Sequence, residues 1–423
     1  MALNNWERFV VSLGRADKHY QMLLSQPKGL EILLSILAGS QFLADTLIGN
    51  PEFLSWLAMP GNLQNVRREE DIERELCTIE SDWLNNMRRL RRREILRIAA
   101  RDICLGAPVQ EIILELSRLA EAVIRATLAG IKRREGIKGV SLNFCILALG
   151  KLGGSELNYS SDVDLLGIYG DPFSSSSAGL CGRIMEKLKR ELSIHTEEGY
   201  AYRVDLRLRP YGSSGELVQS DKALLDYYRN SASLWERQAL LKIRPVAGNL
   251  ELGYEVIDKA HSLLLESRGK REIIETIDTM RSRTINNLGD RFSNSLNVKL
   301  GAGGIRDIEF LVQGLQLIYA SRKKDRKLLE GNTLNALNIL MEAGYLPAAT
   351  AAQLSRDYLF LRRVEHSLQL FEDRQVHTLP VDRSELRALA RRIMGVRVKS
   401  DVFLTELKDC LERVRQAYTA YFN

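Results

Sequence analysis

The spacing of hydrophobic and polar residues divides the chain into three parts. Up to about residue 137, apolar residues recur at the three- and four-residue intervals of an amphipathic helix. Between 138 and 220 the pattern changes to short apolar or alternating runs, and from Asp221 onward the helical period returns. Two sets show the helical face well: Ile112, Leu116, Leu119 and Val123 in the first part, and Leu354, Tyr358, Leu361 and Leu368 in the last.

The middle part predicts a small sheet. Phe144–Leu149 is wholly apolar and ends at Gly150, which is typical of a buried strand. Val163–Tyr169 predicts a second strand. Tyr202–Arg209 alternates strictly between polar and apolar residues, which predicts a third strand. A helix is predicted over 178–193, between the second and third strands.

These patterns together predict a mostly helical α+β fold with a small mixed sheet. We expect an N-terminal helical region at 1–137, the sheet-containing core at 138–220 and a C-terminal helical bundle at 221–423. The three parts would place a small α/β unit between two helical regions.

Composition narrows the class of protein. The 423 residues are 45% hydrophobic, and no apolar run reaches the roughly 18 residues of a membrane-spanning helix. The start of the chain lacks the pattern of a secretory signal, and the five cysteines are dispersed without a CxxC pair. We therefore expect a cytoplasmic protein. Its net charge of +6 favours acidic partners. The basic run 88–93 predicts a solvated helix face or a set facing the active site or a partner, with a nucleic-acid patch as the alternative.

Two aspartates open the second predicted strand. Because side chains alternate faces along a strand, Asp162 and Asp164 share one face, while Val163 and Leu165 share the other. Neighbouring carboxylates repel each other unless a cation or a proton compensates them. Mg²⁺ takes oxygen ligands and keeps coordination positions for substrate phosphates, so the pair predicts a divalent-cation site.

A third carboxylate, Asp205, shares a face of the third predicted strand with Arg207 and Arg209. It would complete a site for one or two metal ions, and two ions can clamp the entering and leaving oxygens of a phosphoryl transfer. Arginine suits phosphate oxygens, and the glycine-rich turn after the first strand lets backbone N–H groups approach phosphate. The alternative is a structural network of Asp–Arg salt bridges across a half-buried sheet.

The segment from Leu149 to Leu165 resembles the signature of the polymerase-β-type nucleotidyltransferase superfamily. That signature is a hydrophobic residue and Gly, then Gly or Ser, a spacer, and Asp-hydrophobic-Asp/Glu-hydrophobic. Here Lys151 occupies the position of Gly or Ser, and ten residues separate it from Asp162.

Five longer blocks resemble one family, glutamine synthetase adenylyltransferase. In chain order they are GKLGGSELNYSSDVD at 150–164, DLRLRP at 205–210, WERQAL at 235–240, GGIRDIEF at 303–310 and LRRVEH at 361–366. The family carries two nucleotidyltransferase modules on a chain about twice this long. One module attaches AMP from ATP to a tyrosine of glutamine synthetase, and the other removes it by phosphorolysis, which releases ADP. The residues in these blocks, including Asn158 and Arg306, resemble those of the removing module.

The resemblance also implies residue roles. Asp162, Asp164 and Asp205 would bind Mg²⁺ as two ions, with Mn²⁺ as an alternative. The residues near the phosphates would be Gly153, Gly154 and Ser161, with Arg207 and Arg209 neutralising charge. Arg306 and Glu309 would share a helix face, either as a structural ion pair that supports the site or in direct contact with the ligand.

The implied partners are adenylylated glutamine synthetase, a nitrogen-signalling protein of the PII type, phosphate, and ADP or ATP. We expect neither a nucleic-acid nor a membrane partner. Two other functions stay open from the sequence. One is ATP-dependent adenylylation of the synthetase, and the other is a non-catalytic regulatory module that binds the signalling protein.

Overall fold

Helices at both ends of the chain enclose a central sheet. The computed structural model describes residues 2–13, 27–59, 61–137, 142–170, 175–266, 269–289, 296–372 and 376–422. The N-terminal helices are α1 (Ala2–Leu13), α2 (Pro27–Gly39), α3 (Gln41–Gly49), α4 (Glu52–Ala58), α5 (Glu69–Cys77), α6 (Trp83–Leu105) and α7 (Val109–Arg134). The central elements are β1 (Phe144–Leu149), α8 (Gly150–Gly153), β2 (Val163–Tyr169), α9 (Ser175–Ser193), β3 (Val204–Asp205) and β4 (Val218–Ser220).

The C-terminal part is helical apart from one strand. Its elements are α10 (Asp221–Asn230), α11 (Leu234–Ala239), β5 (Arg244–Gly248), α12 (Leu250–Leu264), α13 (Lys270–Gly289), α14 (Ile305–Lys323), α15 (Thr333–Glu342), α16 (Ala348–Glu372), α17 (Arg383–Met394) and α18 (Ser400–Phe422). The mostly helical α+β fold predicted from the sequence is therefore confirmed. Within the described residues, no helix combines the length and the apolarity needed to cross a membrane.

The sheet is mixed and has β1 and β2 near its centre. The strand order is β3-β2-β1-β5, and β4 also pairs with β2. β1 runs antiparallel to both β2 and β5, whereas β2 runs parallel to β3 and β4. Because β5 belongs to this sheet, the core boundary predicted at residue 220 cuts through the sheet and leaves out one of its strands.

The sheet separates two hydrophobic cores. Alternate residues of β1 face opposite ways: Phe144 and Ile146 pack with the N-terminal helices, whereas Cys145 and Leu147 pack with the C-terminal helices. This alternation follows from the period of a strand. Burial on both faces explains why the β1 sequence is continuously apolar.

The arginine run 88–93 on α6 is a structural scaffold. Arg88 is 1% exposed and donates to the backbone carbonyls of Glu191, Ile194 and Gly199, in the segment that leads to β3. Arg93 pairs with Glu75. The solvated face expected from the sequence is therefore wrong, and these contacts give no support to a nucleic-acid patch.

Breaking a buried ion pair on α6 should destabilise the fold strongly. Arg97 is 1% exposed and pairs with the buried carboxylates of Glu94 and Glu115. Glu94 also pairs with Arg67, and Glu115 also pairs with Arg101. We expect Arg97→Met to lower the free energy of unfolding by about 3–5 kcal/mol, because these two buried carboxylates then lose the cation that they share.

Urea unfolding measures the change. The control Arg68→Met removes a solvent-exposed pair with Asp71 and should not move the midpoint. Equal shifts in both variants would contradict the prediction.

Candidate functional site

Strand register brings the predicted aspartates together. Leu149 pairs with Asp164 between β1 and β2, and Asp164 pairs with Asp205 between β2 and β3. Asp162 precedes Asp164 by two residues, and the intervening Val163 packs in the N-terminal core. The expected separation of faces is therefore confirmed for Val163, and the aspartate side of β2 faces away from the N-terminal helices.

Gly150, directly after β1, gives Asp164 its space. A Cβ atom added at Gly150 would lie 2.5 Å from Oδ2 of Asp164. The backbone also has a φ of +58° at Gly150, a value that residues other than glycine rarely adopt. The turn after β1 therefore requires glycine for two independent reasons: the close approach of the backbone to the Asp164 carboxylate, and the positive φ of the turn itself.

Asp164 is the central and least compensated carboxylate. Burial, followed by the charges of Asp205 and Asp162, raises its pKa to about 7. Both neighbours, in contrast, have arginine partners. Nε of Arg203 donates to Asp162 at 2.5 Å, and Nε of Arg207 donates to Asp205 at 2.9 and 3.0 Å. The hydrogen bond from Arg207 is also the main cause that lowers the pKa of Asp205.

The Asp–Arg salt bridges that the sequence offered as an alternative to a metal site are thus present at Asp162 and Asp205, but they do not include Asp164. Within the described residues, no group of three or more carboxylate, histidine or cysteine side chains has the arrangement needed to hold a metal ion. The chemistry of the set nevertheless fits a hard divalent cation. All three side chains offer oxygen donors, and the charge on Asp164 is repelled by two neighbouring carboxylates.

The third predicted strand is much shorter than expected. β3 contains only Val204 and Asp205, so the prediction of a strand over Tyr202–Arg209 is wrong. The reason is local: the carboxylate of Asp205 accepts the backbone N–H of Arg207 at 2.8 Å, which turns the chain. Arg209 then donates to the carbonyl oxygens of Leu206, Ser213 and Gly215. Its guanidinium therefore stabilises the turn and is not held beside Asp205, as the strand model predicted.

Gly153 and Gly154 lie away from the aspartates. A Cβ at Gly153 would lie 2.1 Å from the carbonyl oxygen of Lys242, and one at Gly154 would lie 2.9 Å from that of Gly331. Both glycines line a separate cleft, whereas Ser161 lines the cavity that contains the aspartates. Backbone packing thus accounts for the two glycines, and the structure does not bring them to the predicted phosphate position.

Asp162 and Asp164 open into a cavity of about 490 Å³, which we call the aspartate cavity, whereas Asp205 is not among its lining residues. Gly150, Lys151, Ser161, Asp162 and Asp164 form the wall provided by the sheet and its turns. The facing wall comes from the C-terminal part and includes Trp235, Lys299, Arg306, Glu309 and Phe310. A volume in the range of ordinary ligand pockets therefore has carboxylates, cations and aromatic surface around it.

Arg306 and Glu309 both line the cavity, but they do not pair with each other. Glu309 accepts from Nζ of Lys242 at 3.3 Å. The guanidinium of Arg306 lies 5.8 Å from the ring centroid of Phe310. The structural ion pair expected between them is absent in this part of the described chain.

Two largely buried lysines, Lys151 and Lys242, line the cavity, and the sequence offered only Lys242 as a candidate for substrate contact. Lys151 donates to the fully buried Glu365 at 3.1 Å, and burial lowers its pKa to about 7. Lys242 pairs with Glu156 and also donates to Thr333 at 3.1 Å. For Lys151, the signal in the sequence was its departure from the Gly or Ser of the signature. Its carboxylate partner, Glu365, lies far along the chain and could not be identified from the sequence.

The block LRRVEH at 361–366 supports the site from behind. Nε2 of His366 lies 3.0 Å from Oδ1 of Asn158, and both residues are almost fully buried. Arg362 donates to the carbonyl oxygen of Glu156 at 2.6 Å. Asn158 is therefore a packing residue in this structure and is not among the residues that line the aspartate cavity.

Comparisons with known proteins cover the chain in two pieces. A sequence model of the family described as glutamate-ammonia ligase adenylyltransferase matches residues 30–259. A second model, described as GlnD PII-uridylyltransferase, matches residues 271–422. The first match contains the sheet, the aspartates and Trp235, and the second contains Lys299, Arg306, Glu309 and Phe310 of the facing wall.

Curated relatives resemble nearly the whole chain. A bifunctional glutamine synthetase adenylyltransferase/adenylyl-removing enzyme from Nitrosococcus oceani is 34% identical over 419 residues, covering 93% of this chain and 42% of the relative. Proteins of the same name from Streptomyces avermitilis and Pseudomonas aeruginosa are 37% and 35% identical, covering 85% and 86% of this chain. The chain spans about two-fifths of the length of these relatives.

The raised pKa of Asp164 predicts a pH-dependent effect of its removal. The folded protein holds this proton up to about pH 7, whereas an unfolded aspartate loses it near pH 4, so stability falls as pH rises through that interval. Without divalent cations, Asp164→Asn should therefore raise the melting temperature more at pH 8 than at pH 5. Added Mg²⁺ should stabilise only the wild type.

Thermal unfolding at both pH values, with and without Mg²⁺, measures these differences. Asp226→Asn is the control, because Asp226 is exposed and pairs with Arg229 at the surface. The same temperature shift for Asp164→Asn at pH 5 and pH 8 would show that this carboxylate is not repelled as described.

Proposed function

The chain belongs to the glutamate-ammonia ligase adenylyltransferase family, and from that membership we propose that it removes AMP from adenylylated glutamine synthetase by phosphorolysis. Inorganic phosphate would attack the phosphorus of the tyrosine-linked AMP, and ADP and the free tyrosine would be the products. The observation that carries the proposal is the aspartate cavity, where the carboxylate-bearing sheet faces a wall with cations and aromatic rings.

Asp162, Asp164 and Asp205 would hold Mg²⁺ or Mn²⁺, as one or two ions. The bound metal would supply charge neutralisation at the phosphate oxygens and help to orient them. In this structure Arg203 forms a salt bridge with Asp162, and Arg207 forms one with Asp205. The Arg207 side chain is 79% exposed, so it can leave Asp205 or turn toward a phosphate without a large loss of packing. Arg203 also donates to Tyr200 and to the carbonyl oxygen of Ser160, so it is held more firmly beside Asp162.

The protein would act mainly by positioning. Phosphate is already an anion at neutral pH, so its attack requires no strong general base. Catalysis would then come from holding two anions close together while the surrounding groups neutralise their charge. The buried Lys151–Glu365 and Lys242–Glu156 pairs hold in place the segments that line the cavity.

Support for removal rather than attachment of AMP comes from the resemblance at Asn158 and Arg306. Only Arg306 lines the cavity, so it is the residue of the two through which direction could be set by contact. The relatives' printed name covers both activities. ATP-dependent adenylylation is therefore the second candidate, and it would use the same carboxylates.

The C-terminal match supports the proposal of a regulatory partner. Residues 271–422 resemble a family described as a PII-uridylyltransferase. We propose that a nitrogen-signalling protein of the PII type acts on this chain, in the cytoplasm. A purely regulatory module would not need a carboxylate cluster beside a cavity, so the aspartates favour retained catalysis.

Trp235 and Phe310 are the groups suited to the adenine ring. Trp235 is 44% exposed on the short helix α11 and lines the cavity together with Phe310. Aromatic rings stack on nucleotide bases with little demand for further contacts. We propose that the base lies against this aromatic surface and the phosphate lies toward Asp164.

A direct assay tests the proposed reaction. The chain is mixed with adenylylated synthetase, Mg²⁺ and phosphate, and ADP is followed over time. We expect Asp164→Asn to lower the rate about a hundredfold or more, because charge stabilisation at the reacting phosphate is lost. Asp226→Asn, at the surface pair with Arg229, should keep the wild-type rate.

Absence of ADP at every phosphate concentration would refute phosphorolysis. The same mixture with ATP and unmodified synthetase tests the second candidate, which predicts a mass increase of one AMP on the synthetase. If Asp164→Asn changed neither reaction but the chain still bound a PII-type protein, the regulatory alternative would be supported.

The aromatic surface gives a separate prediction. Trp235→Ala should raise the KM for adenylylated synthetase roughly 5- to 100-fold, because base stacking contributes about 1–3 kcal/mol. Trp235→Phe should retain most of the affinity. Tyr254→Ala, which removes an exposed aromatic ring outside the cavity, is the control. Unchanged KM values in Trp235→Ala would place the base elsewhere.

A further inference from the structure

Among the described residues, two cations on the wall facing the aspartates form no direct ion pair with a carboxylate, although their charges lower the pKa of Glu365 and of Glu309. Lys151 and Lys242, which line the aspartate cavity, pair with Glu365 and Glu156, and Asp162 pairs with Arg203. Lys299 and Arg306 line the same cavity, and neither forms an ion pair with a described residue. The Arg306 guanidinium lies 5.8 Å from the centroid of the Phe310 ring.

Lys299 lies between the two sides of the cavity. Its positive charge lowers the pKa of Asp164 on one side and that of Lys151 on the other. Lys299 is half-buried, so its ammonium group is partly withdrawn from water. A partly desolvated cation without a partner is unfavourable, and a bound anion would compensate it.

The backbone holds Lys299 and Arg306 in a fixed relation. The side-chain oxygen of Asn297 accepts the N–H of Lys299 at 3.1 Å, and the carbonyl oxygen of Lys299 accepts the N–H of Arg306 at 3.1 Å. Gly303, between them, packs so closely that a Cβ atom would lie 1.9 Å from the carbonyl oxygen of Leu411. Lys299 therefore stands on a loop whose course is set by close packing, and Arg306 stands in the first turn of α14, directly after that loop.

The aspartate cavity thus has two zones of opposite charge. Asp162 and Asp164 form the zone suited to a cation, and Lys299 and Arg306 form a zone suited to an anion. Charge-assisted hydrogen bonds from lysine and arginine are well suited to phosphate oxygens. A small dianion such as hydrogen phosphate, bound between these zones, would lie beside the phosphodiester that joins AMP to tyrosine.

We propose that Lys299 and Arg306 form the subsite for the attacking inorganic phosphate, an inference that rests on the proposed phosphorolysis. An oxygen of hydrogen phosphate forms a bond to the phosphorus of the tyrosine-linked AMP. The bond from that phosphorus to the tyrosine oxygen breaks, and its electron pair leaves with the tyrosine oxygen. The proton of hydrogen phosphate passes to that oxygen, so tyrosine and ADP are formed without another reactant.

The same oxyanion chemistry could come from the terminal phosphates of ATP, if the chain worked in the attaching direction. The two sources make different demands on the cations. Free phosphate must be recruited by the subsite itself, whereas the ATP phosphates arrive tethered to the adenosine. Binding of each anion is therefore measured separately.

The kinetic test uses the whole chain with Mg²⁺ and adenylylated synthetase. Lys299→Met and Arg306→Met should each raise the KM for phosphate about 10- to 100-fold, because each removes a charge-assisted hydrogen bond. The KM for adenylylated synthetase should stay within about twofold, and Lys299→Arg should recover much of the phosphate affinity.

Lys259→Met and Arg322→Met are matched controls. Both residues are exposed and lie outside the cavity, and Arg322 stands on the same helix, α14, as Arg306. They should leave both KM values unchanged. Melting temperatures without phosphate show whether Lys299→Met and Arg306→Met fold as the wild type does.

An equilibrium measurement separates failure of this inference from failure of the proposed function. Phosphate should raise the melting temperature of the wild type but not that of Lys299→Met, whether or not ADP is ever formed. If the wild type makes ADP and both methionine variants keep its KM for phosphate, the subsite is refuted. It is also refuted if the variants lose stabilisation by ATP but keep that by inorganic phosphate.

Discussion

Buried ion pairs beneath the segment 150–161 hold the sheet and the C-terminal helices in one arrangement. Lys151 reaches Glu365 on α16, and Lys242 reaches Glu156. Arg362 on α16 donates to the carbonyl oxygen of Glu156. Such groups are withdrawn from water, so loss of one partner leaves a strongly unfavourable charge. The pairs are therefore satisfied together only when residues about 200 positions apart along the chain are correctly placed.

This constraint gives the aspartate cavity its two unlike walls. The sheet provides the carboxylates, and the C-terminal part provides Lys299, Arg306 and the aromatic side chains. The two family matches follow this division except at Trp235: residues 30–259 contain the carboxylate wall and Trp235, and residues 271–422 contain Lys299, Arg306 and Phe310. Neither matched region alone contains the whole cavity. Both the proposed reaction and the proposed phosphate subsite depend on their apposition.

Several features could be predicted because they depend on neighbouring residues. The apolar run of β1 and the alternation around Asp164 follow from strand geometry, and the helical face of α16 follows from the helix period. The prediction failed at β3, where alternation continued but the side chain of Asp205 accepted the N–H of Arg207 and turned the chain. It also assigned Gly153 and Gly154 to phosphate, although their small size serves packing against Lys242 and Gly331.

The sequence by itself determined the family, the mostly helical α+β class and the identity of the central carboxylates, because motif spacing and hydrophobic period are local properties. Only the tertiary structure decided which cations are satisfied. Lys151 and Lys242 pair with buried carboxylates, whereas Lys299 and Arg306 line the cavity and form no ion pair with any residue that the structure describes. The reason is physical: whether a charge is paired depends on what lies near it in space, and the paired groups here are far apart along the chain.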